Sequence, residues 1–299
     1  MTVPVSERTA ERVPAHRQED DAAHTGADQL ADKELRLRAC VASLGPTIVA
    51  FSGGVDSAYL AYVANDVLGS GALCVTADSP SYPDRHRQLA LLTARDLGLR
   101  HEIIHTAEME RDEYRANPVN RCYYCKHELY TALSRIASAR GFATIVDGSN
   151  ADDRGDYRPG RAAAREFGVR SPLDDVGLTK ADIRELAHKA GLATWDEPAS
   201  ACLSSRIPYH SEVTDEKLRM IESAEAALHE LGFRVCRVRH HDRLARIEFG
   251  TDELARALEP SMREQVVERL RAVGYQHVTV DLQGYRRGSL NDGVQLRPV

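Results

Sequence analysis

Short β-branched apolar runs that alternate with helical stretches constrain the fold of this chain more than any other feature. The runs occupy residues 47–51, 72–77, 102–104 and 143–148. The stretches between them carry turn residues and apolar residues at helical spacing. This alternation predicts an α/β fold in which helices cover both faces of a parallel sheet. Because such sheets bind ligands at the carboxyl ends of their strands, the loops that follow the runs are the candidate sites.

The charge of the chain is unevenly distributed. Its 299 residues carry a formal charge of −6, and residues 1–34 hold eight acidic against four basic side chains. This segment has few large aliphatic residues, so we predict a disordered acidic tail over residues 1–34. The remaining body is only mildly acidic and lacks the basic surface of a nucleic-acid binder, so no nucleic-acid partner is expected.

The apolar content also limits where the protein works. No apolar run approaches the length that crosses a bilayer, and the N-terminus has no hydrophobic stretch behind its charges. We therefore expect a cytoplasmic protein with no membrane partner. Six cysteines in 299 residues are far fewer than a disulfide scaffold has, so we expect them to be reduced or metal-bound.

The loop after the first run has the composition of an oxyanion site. It reads Ser52, Gly53, Gly54, Val55, Asp56 and Ser57, and a helical stretch follows. Two glycines allow backbone N–H groups to turn inward, while the serines and the start of the helix supply donors and a positive dipole end. An ordinary Gly-Gly turn is the competing interpretation, because short glycine motifs are weak signals.

The longer string resembles the PP-loop of the ATP pyrophosphatases, which adenylate a substrate and release pyrophosphate. No Gly-Lys-Ser/Thr follows the glycines, so transfer of the γ-phosphate is not expected. The resemblance implies that the loop binds ATP and that Asp56 orients Mg²⁺ or phosphate, since hard cations prefer carboxylate oxygens. Asp78, at the end of the second run, is predicted to join the ATP-binding residues.

Four further segments extend the resemblance to one branch of this superfamily. They are RCYYCK (121–126), GSNADD (148–153), RSPL (170–173) and ASACLSSRIP (199–208). Together with the loop they are similar to the LarE family of sulfur transferases, over roughly residues 35–290. This family builds the thiocarboxylates of the nickel-pincer nucleotide. The resemblance implies an adenine nucleotide α-hydrolase-like PP-loop domain over residues 35–209 and a smaller α+β domain over 210–299, for substrate binding or oligomerisation.

The cysteines support sulfur chemistry independently. Cys122 and Cys125 are spaced so that both thiolates can face one metal site, although a redox pair or half a zinc site has the same spacing. Cys202 is the one further cysteine flanked by polar, site-like residues. The other three, Cys40, Cys74 and Cys236, are predicted to be packing residues. Three thiolates suit a 4Fe–4S cluster with one open iron that can hold sulfide.

The resemblance leaves two routes for the sulfur. In the sacrificial form of the family, the cysteine at the Cys202 position gives up its own sulfur, and the other two positions are not cysteines. This chain has all three cysteines. It therefore resembles the cluster-dependent form, in which external sulfide is relayed and the protein turns over repeatedly.

Residues 210–299 contain candidate substrate-binding side chains. Helical spacing is evident over 214–231 and 252–272, and strand patterns over 234–239, 245–249 and 277–282. Arg237 and Arg239, with Arg206, are predicted to hold a substrate phosphate, since guanidinium groups pair bidentately with phosphate. A solvated edge strand is the competing interpretation. The resemblance also suggests Glu225 and Glu248 as ligands of a divalent cation.

These residues predict an adenylation mechanism with Cys202, Asp56 and Arg206 as catalytic residues. A carboxylate is a poor acceptor for sulfur because its leaving group would be oxide, and adenylation makes AMP the leaving group. The resemblance implies pyridinium-3,5-biscarboxylic acid mononucleotide as the substrate, a separate sulfide donor and a homo-oligomeric assembly. An amide-forming ATP pyrophosphatase, a tRNA thiolase and a non-catalytic nucleotide-binding module are the rival interpretations.

Overall fold

A computed structural model describes residues 15–155, 158–198, 201–286 and 288–289. Among these residues, no helix combines the length and apolar character needed to span a membrane.

The first sheet is parallel, as the alternation of apolar runs predicted. Its strands are β1 (Thr47–Ala50), β2 (Ala72–Asp78), β3 (His101–His105) and β4 (Thr144–Val146). They lie in the order β3-β2-β1-β4, and every neighbouring pair is parallel. The carboxyl ends of β1 and its two neighbours therefore meet at one edge of the sheet.

Helices cover both faces of this sheet. They are α1 (Ala15–Ala42), α2 (Val55–Leu68), α3 (Asp84–Asp96), α4 (Asp112–Arg115), α5 (Arg121–Arg140), α6 (Gly160–Glu166), α7 (Pro172–Asp175) and α8 (Lys180–Lys189). Short 3₁₀ turns lie at Gly69–Gly71, Glu108–Glu110, Ala151–Gly155, Ala193–Asp196 and Leu203–Arg206. Alternate residues of β1 enter different cores: Val49 packs with α1, α2 and α8, whereas Ile48 packs with Tyr130 and Leu133 of α5.

Helix α1 corrects the prediction of a disordered tail. Leu30, Leu37 and Val41 lie on one side of this helix and are almost fully buried in the core shared with α2. The Nζ atom of Lys33 also lies 2.6 Å from Oδ2 of Asp182 in α8. Residues 30–34 of the predicted tail therefore belong to a docked helix, because a few aliphatic residues at helical spacing suffice to dock a helix. Residues 1–14 lie outside the described part of the chain.

The C-terminal part has its own sheet and core. It contains α9 (Asp215–Glu230), β5 (Cys236–His241), β6 (Leu244–Phe249), α10 (Leu254–Leu258), α11 (Pro260–Val273) and β7 (His277–Val280). The strand order is β5-β6-β7, antiparallel between β5 and β6 and parallel between β6 and β7. The helix predicted over 252–272 is divided, because Pro260 occupies the first turn of α11 and begins a new helix.

Replacing Leu30 by Ala is expected to lower the free energy of unfolding by about 2–4 kcal/mol, because it opens a cavity beneath α1. Leu35, on the same helix, is 67% exposed, so Leu35→Ala should change stability by no more than about 0.5 kcal/mol. Urea unfolding followed by circular dichroism measures both. Equal stabilities of the two variants would show that this part of α1 is not docked.

Candidate active site

The loop between β1 and α2 requires glycine at its tightest point. Gly53 has a φ of +68°, and a Cβ atom there would lie 2.9 Å from the backbone of Ala90 in α3. No side chain caps the N-terminus of α2, where Gly54 is the N-cap residue. The loop therefore brings bare backbone and a helix N-terminus to the carboxyl end of β1, which is an arrangement suited to phosphate oxygens.

The two serines of this loop fix its shape. The backbone N–H of Ser52 donates to Oγ of Ser57 at 3.1 Å, and the Ser57 hydroxyl donates to the carbonyl of Gly54 at 3.0 Å. The Ser52 and Ser57 hydroxyls are also 3.1 Å apart. These bonds close the loop on itself, so the predicted phosphate-binding segment is rigid before any ligand arrives.

Asp56 lies in the first turn of α2 with an ion-pair partner that the sequence did not reveal. Lys180 Nζ, at the start of α8, donates to its Oδ2 atom at 2.6 Å. The other oxygen, Oδ1, is buried and has no hydrogen-bond partner among the described residues. Burial raises the pKa of Asp56, and Lys180 opposes that rise. One carboxylate oxygen is thus held by Lys180, while the other is buried without a partner among the described residues.

The only sequence signal for Lys180 is local. Thr179 and Asp182 form a capping box that begins α8, which places Lys180 in its first turn. This capping box predicts where α8 begins, but it does not predict which loop the start of α8 faces.

Two of the motifs from the sequence meet beside this loop. A Cβ atom on Gly148 would lie 3.0 Å from the backbone nitrogen of Ser57, so the GSNADD segment abuts the start of α2. The preceding Asp147 is buried and accepts hydrogen bonds from Tyr130 at 2.9 Å and Ser171 at 2.7 Å. Asp147 therefore ties the GSNADD and RSPL segments together at the end of β4.

Asp78 lies at the end of β2, on the same edge of the sheet. Its Oδ2 atom accepts from Arg87 Nη1 at 3.2 Å and is 3.7 Å from Nδ1 of His105. Its role in ATP binding stays a prediction.

Residues 79–83, which we call the bridging loop, connect this edge to the segment that holds Cys202. The hydroxyl of Tyr82 donates to the carbonyl of Ser52 at 2.9 Å, and the N–H of Leu203 donates to the carbonyl of Ser81 at 2.8 Å. Glu108 is buried below this loop, and its Oε1 atom accepts from Ser79 and Ser81. The loop of residues 52–57 and the cysteine segment are therefore one short loop apart.

The three candidate cysteines share one neighbourhood. Cys122 and Cys125 lie about one turn apart at the start of α5, and Cys202 precedes the Leu203–Arg206 turn. Cys122 is accessible to solvent, yet enough protein surrounds its sulfur that desolvation raises its pKa, against the pull of Arg121. Burial raises the pKa of Cys125 well above its usual range, and the nearby Glu108 and Cys202 add to this rise.

The other three cysteines lie apart from this group. Cys74 and Cys236 are buried, as predicted for packing residues, and Cys40 is half-buried. In the described part of the chain, no group of three or more His, Cys, Asp or Glu side chains is arranged to hold a metal ion. The predicted metal ligands Cys122, Cys125 and Cys202 therefore stay predictions.

Two of the three predicted arginines form ion pairs with the two predicted glutamates. Arg206 makes a two-pronged pair with Glu225, with both contacts at 2.9 Å. Arg239 pairs with Glu248 at 2.9 and 2.6 Å. Both pairs are buried, so β5 is not the solvated edge strand of the competing interpretation. Phosphate binding by Arg239 and cation binding by Glu225 and Glu248 stay predictions, since each would have to compete with an existing partner.

Arg237 lies in a different setting, at a cavity of about 180 Å³ between α3, the Cys202 segment and α9. Arg206, Glu225, His86 and His229 also line this cavity. Burial lowers the pKa of Arg237, and the charge of Arg206 lowers it further. Burial and the same arginines lower the pKa of His86 to about 4. The cavity thus places Arg237 near an uncharged His86, with acidic as well as basic side chains in its lining.

Known proteins resemble this chain along most of its length, although no protein-family model matches it. An uncharacterised protein of Synechocystis sp. is 42% identical over 262 residues, which cover 88% of this chain and 98% of that protein. One component of the glutamine-hydrolysing GMP synthase of Methanopyrus kandleri is 27% identical over 207 residues, which cover 61% of this chain and 62% of that component.

A third relative has a specific name. The pyridinium-3,5-bisthiocarboxylic acid mononucleotide synthase of Lactiplantibacillus plantarum is 36% identical over 264 residues, which cover 88% of this chain and 95% of the synthase. A similarity of this extent takes in both the parallel-sheet part and the C-terminal part of the chain. The chain therefore belongs to the LarE family, as its motifs predicted.

Proposed function

We propose that this protein is an ATP-dependent sulfur transferase. In this proposal it adenylates a carboxylate of pyridinium-3,5-biscarboxylic acid mononucleotide and replaces AMP with sulfur, in the synthesis of the nickel-pincer nucleotide. The name of the L. plantarum relative supports this substrate class. One observation supports the proposal most strongly. The bridging loop is hydrogen-bonded both to the PP-loop and to the segment of Cys202, and Cys202 lies near the thiols of Cys122 and Cys125.

The loop residues fit ATP and Mg²⁺. Gly53 keeps the loop free of side-chain bulk, and Asp56 offers a buried Oδ1 atom without a partner among the described residues. Mg²⁺ bound there would neutralise charge on the departing pyrophosphate. Lys180 would hold the Asp56 carboxylate in orientation, and the serines would hold the loop.

The first chemical step joins substrate to nucleotide. The loop orients ATP so that a substrate carboxylate oxygen attacks the α-phosphorus, and pyrophosphate leaves with the electrons of the broken P–O bond. In the second step, sulfide attacks the activated carboxyl carbon, AMP leaves, and the S–H proton passes to solvent. Backbone donors of a preorganised loop are suited to offset the charge that develops on the phosphate.

In this proposal the three thiols hold a 4Fe–4S cluster and not a single ion. Each cysteine of such a cluster binds a different iron, so the thiols need not converge on one point. Cys125 and Cys202, which are half-buried, and the accessible Cys122 would be its three protein ligands. The cluster would supply an iron with an open position for sulfide.

Other expectations accompany this proposal. We propose a separate sulfide donor, a small-molecule mononucleotide as the substrate, a cytoplasmic location and a homo-oligomeric assembly. Sacrificial transfer from Cys202 is the principal alternative. An amide-forming reaction has weaker support, since the GMP synthase relative aligns over only 61% of the chain.

Replacing Asp56 by Asn should abolish the formation of AMP and pyrophosphate, because the variant loses the carboxylate charge that would orient Mg²⁺. Asp66→Asn is the matched control, since Asp66 lies on the same helix and only pairs with Arg38 near the surface. Chromatography of labelled nucleotides measures the products. Formation of ADP and inorganic phosphate by the wild type would contradict a PP-loop mechanism.

The two arginines of β5 should respond differently to substitution by Ala. Arg237→Ala should raise the KM for the mononucleotide by an amount equivalent to about 1.5–3 kcal/mol, with little change for ATP. Arg239→Ala removes the two-pronged partner of the buried Glu248 and leaves it Arg246 at 3.3 Å, so it should lower stability by no more than about 3–5 kcal/mol. Steady-state kinetics and urea unfolding separate the two effects. An unchanged KM in Arg237→Ala would remove Arg237 from the substrate site.

The route of the sulfur is tested on protein prepared without oxygen. With a cluster on Cys122, Cys125 and Cys202, the protein should be brown, contain about four irons per chain, and lose them when any one cysteine becomes Ala. With sulfide supplied, each chain should make more than one thiocarboxylate. Intact-protein mass spectrometry after turnover decides: a loss of hydrogen sulfide from Cys202 in iron-replete protein would establish the sacrificial route instead.

A further inference from the structure

Arg121 is a buried cation between the two segments that carry the candidate cysteines. It is the first residue of α5 and is only 3% exposed. Its Nη1 atom donates to the carbonyl of Ser204 at 2.9 Å and also to Oδ1 of Asn117. Its Nη2 atom lies 3.9 Å from Sγ of Cys202. One guanidinium thus contacts both the backbone and the sulfur of the Cys202 segment.

Neighbouring residues hold the same two segments together. The Asn117 amide donates to the carbonyls of Pro208 at 2.8 Å and Ser211 at 3.0 Å. The hydroxyls of Tyr114 and Ser204 are 2.7 Å apart. Several hydrogen bonds therefore join residues 114–121 to residues 202–211. Among these contacts, the one made by Arg121 includes a cysteine sulfur, Sγ of Cys202.

We propose that Arg121 is a positioning residue that holds Cys202 against Cys122 and places a positive charge beside the sulfurs. This inference rests on the proposed sulfur transfer, because it gives the three cysteines a common task. Cys122 and Cys202 are 80 positions apart, so the local backbone cannot set their separation. Two nitrogens of one planar fork reach separate acceptors here, which the single nitrogen of lysine cannot reproduce.

The charge of Arg121 has a second consequence. Thiolates gathered at one point repel one another, and a buried cation offsets that repulsion. The guanidinium is always protonated, so its charge persists at any working pH. Geometry and charge therefore act in the same direction, toward a compact set of sulfurs.

The test measures thiol proximity in the full-length chain without iron. Reduced protein carrying Cys125→Ser, so that Cys202 faces Cys122 alone, is treated with dibromobimane, and peptide mapping locates the bridge. We expect a Cys122–Cys202 bridge. Adding Arg121→Lys should slow its formation about tenfold or more, as the pair loses its fixed separation. Tyr114→Phe is the matched control. It removes the hydrogen bond between Tyr114 and Ser204, which joins the same two segments, and keeps Arg121, so the bridging rate should stay close to normal.

Each outcome decides the inference. Bridging at the parent rate in Arg121→Lys, or equal slowing by Tyr114→Phe, would overturn it. Loss of the helical circular dichroism signal in Arg121→Lys would also overturn it, because Arg121 would then serve the fold as a whole. The anaerobic iron content of Arg121→Lys gives a second readout and should fall below that of the wild type. Failure of the proposed function would appear separately, as a wild type that bridges normally but makes no thiocarboxylate.

Discussion

The buried ion pair between Arg206 and Glu225 is the interaction on which the placement of Cys202 depends. The arginine is 1% exposed, and it also donates to the carbonyls of Ala201 at 2.8 Å and Cys202 at 3.1 Å. The glutamate accepts a further bond from the N–H of Val238 in β5 at 2.9 Å. Removing either partner would leave an uncompensated buried charge, at a cost of about 3–5 kcal/mol. The C-terminal sheet therefore helps to position the Cys202 segment, together with residues 114–121.

The bridging loop then connects this segment to the loop of residues 52–57 at the edge of the parallel sheet. Its Ser81 carbonyl accepts from Leu203, next to Cys202, and its Tyr82 hydroxyl reaches back to Ser52. Glu108 fixes the loop from below through Ser79 and Ser81. A displacement of the cysteine segment would therefore also displace the bridging loop and, through Tyr82, the loop predicted to bind ATP. This linkage suits a reaction in which an adenylate formed at one point must meet sulfur at another.

The sequence predicted the parts of this structure that follow from local rules. Strand alternation identified the parallel sheet, and the loop glycine at Gly53 is required by a positive φ and the approach of Ala90. The docking of α1 could not be predicted from amino-acid composition alone, because it depends on the helical spacing of Leu30 and Leu37. Lys180 escaped because its ion pair with Asp56 joins residues 124 positions apart. Pairings of this kind are set by tertiary packing, which no local pattern encodes.

Arginine chemistry shows the same limit most clearly. A guanidinium fork matches a carboxylate as well as a phosphate, so residue type alone could not assign Arg206, Arg237 and Arg239 to a ligand. In the folded protein, Glu225 and Glu248 neutralise Arg206 and Arg239. Arg237 differs, because burial and the adjacent Arg206 lower its pKa even though Glu225 is close. Desolvation is the larger of the two causes, so the lowered pKa reflects first the burial of Arg237 and only then the charge of Arg206. A phosphate at Arg239 would first have to displace the Glu248 carboxylate, whereas Arg237 already lines the cavity beside Arg206.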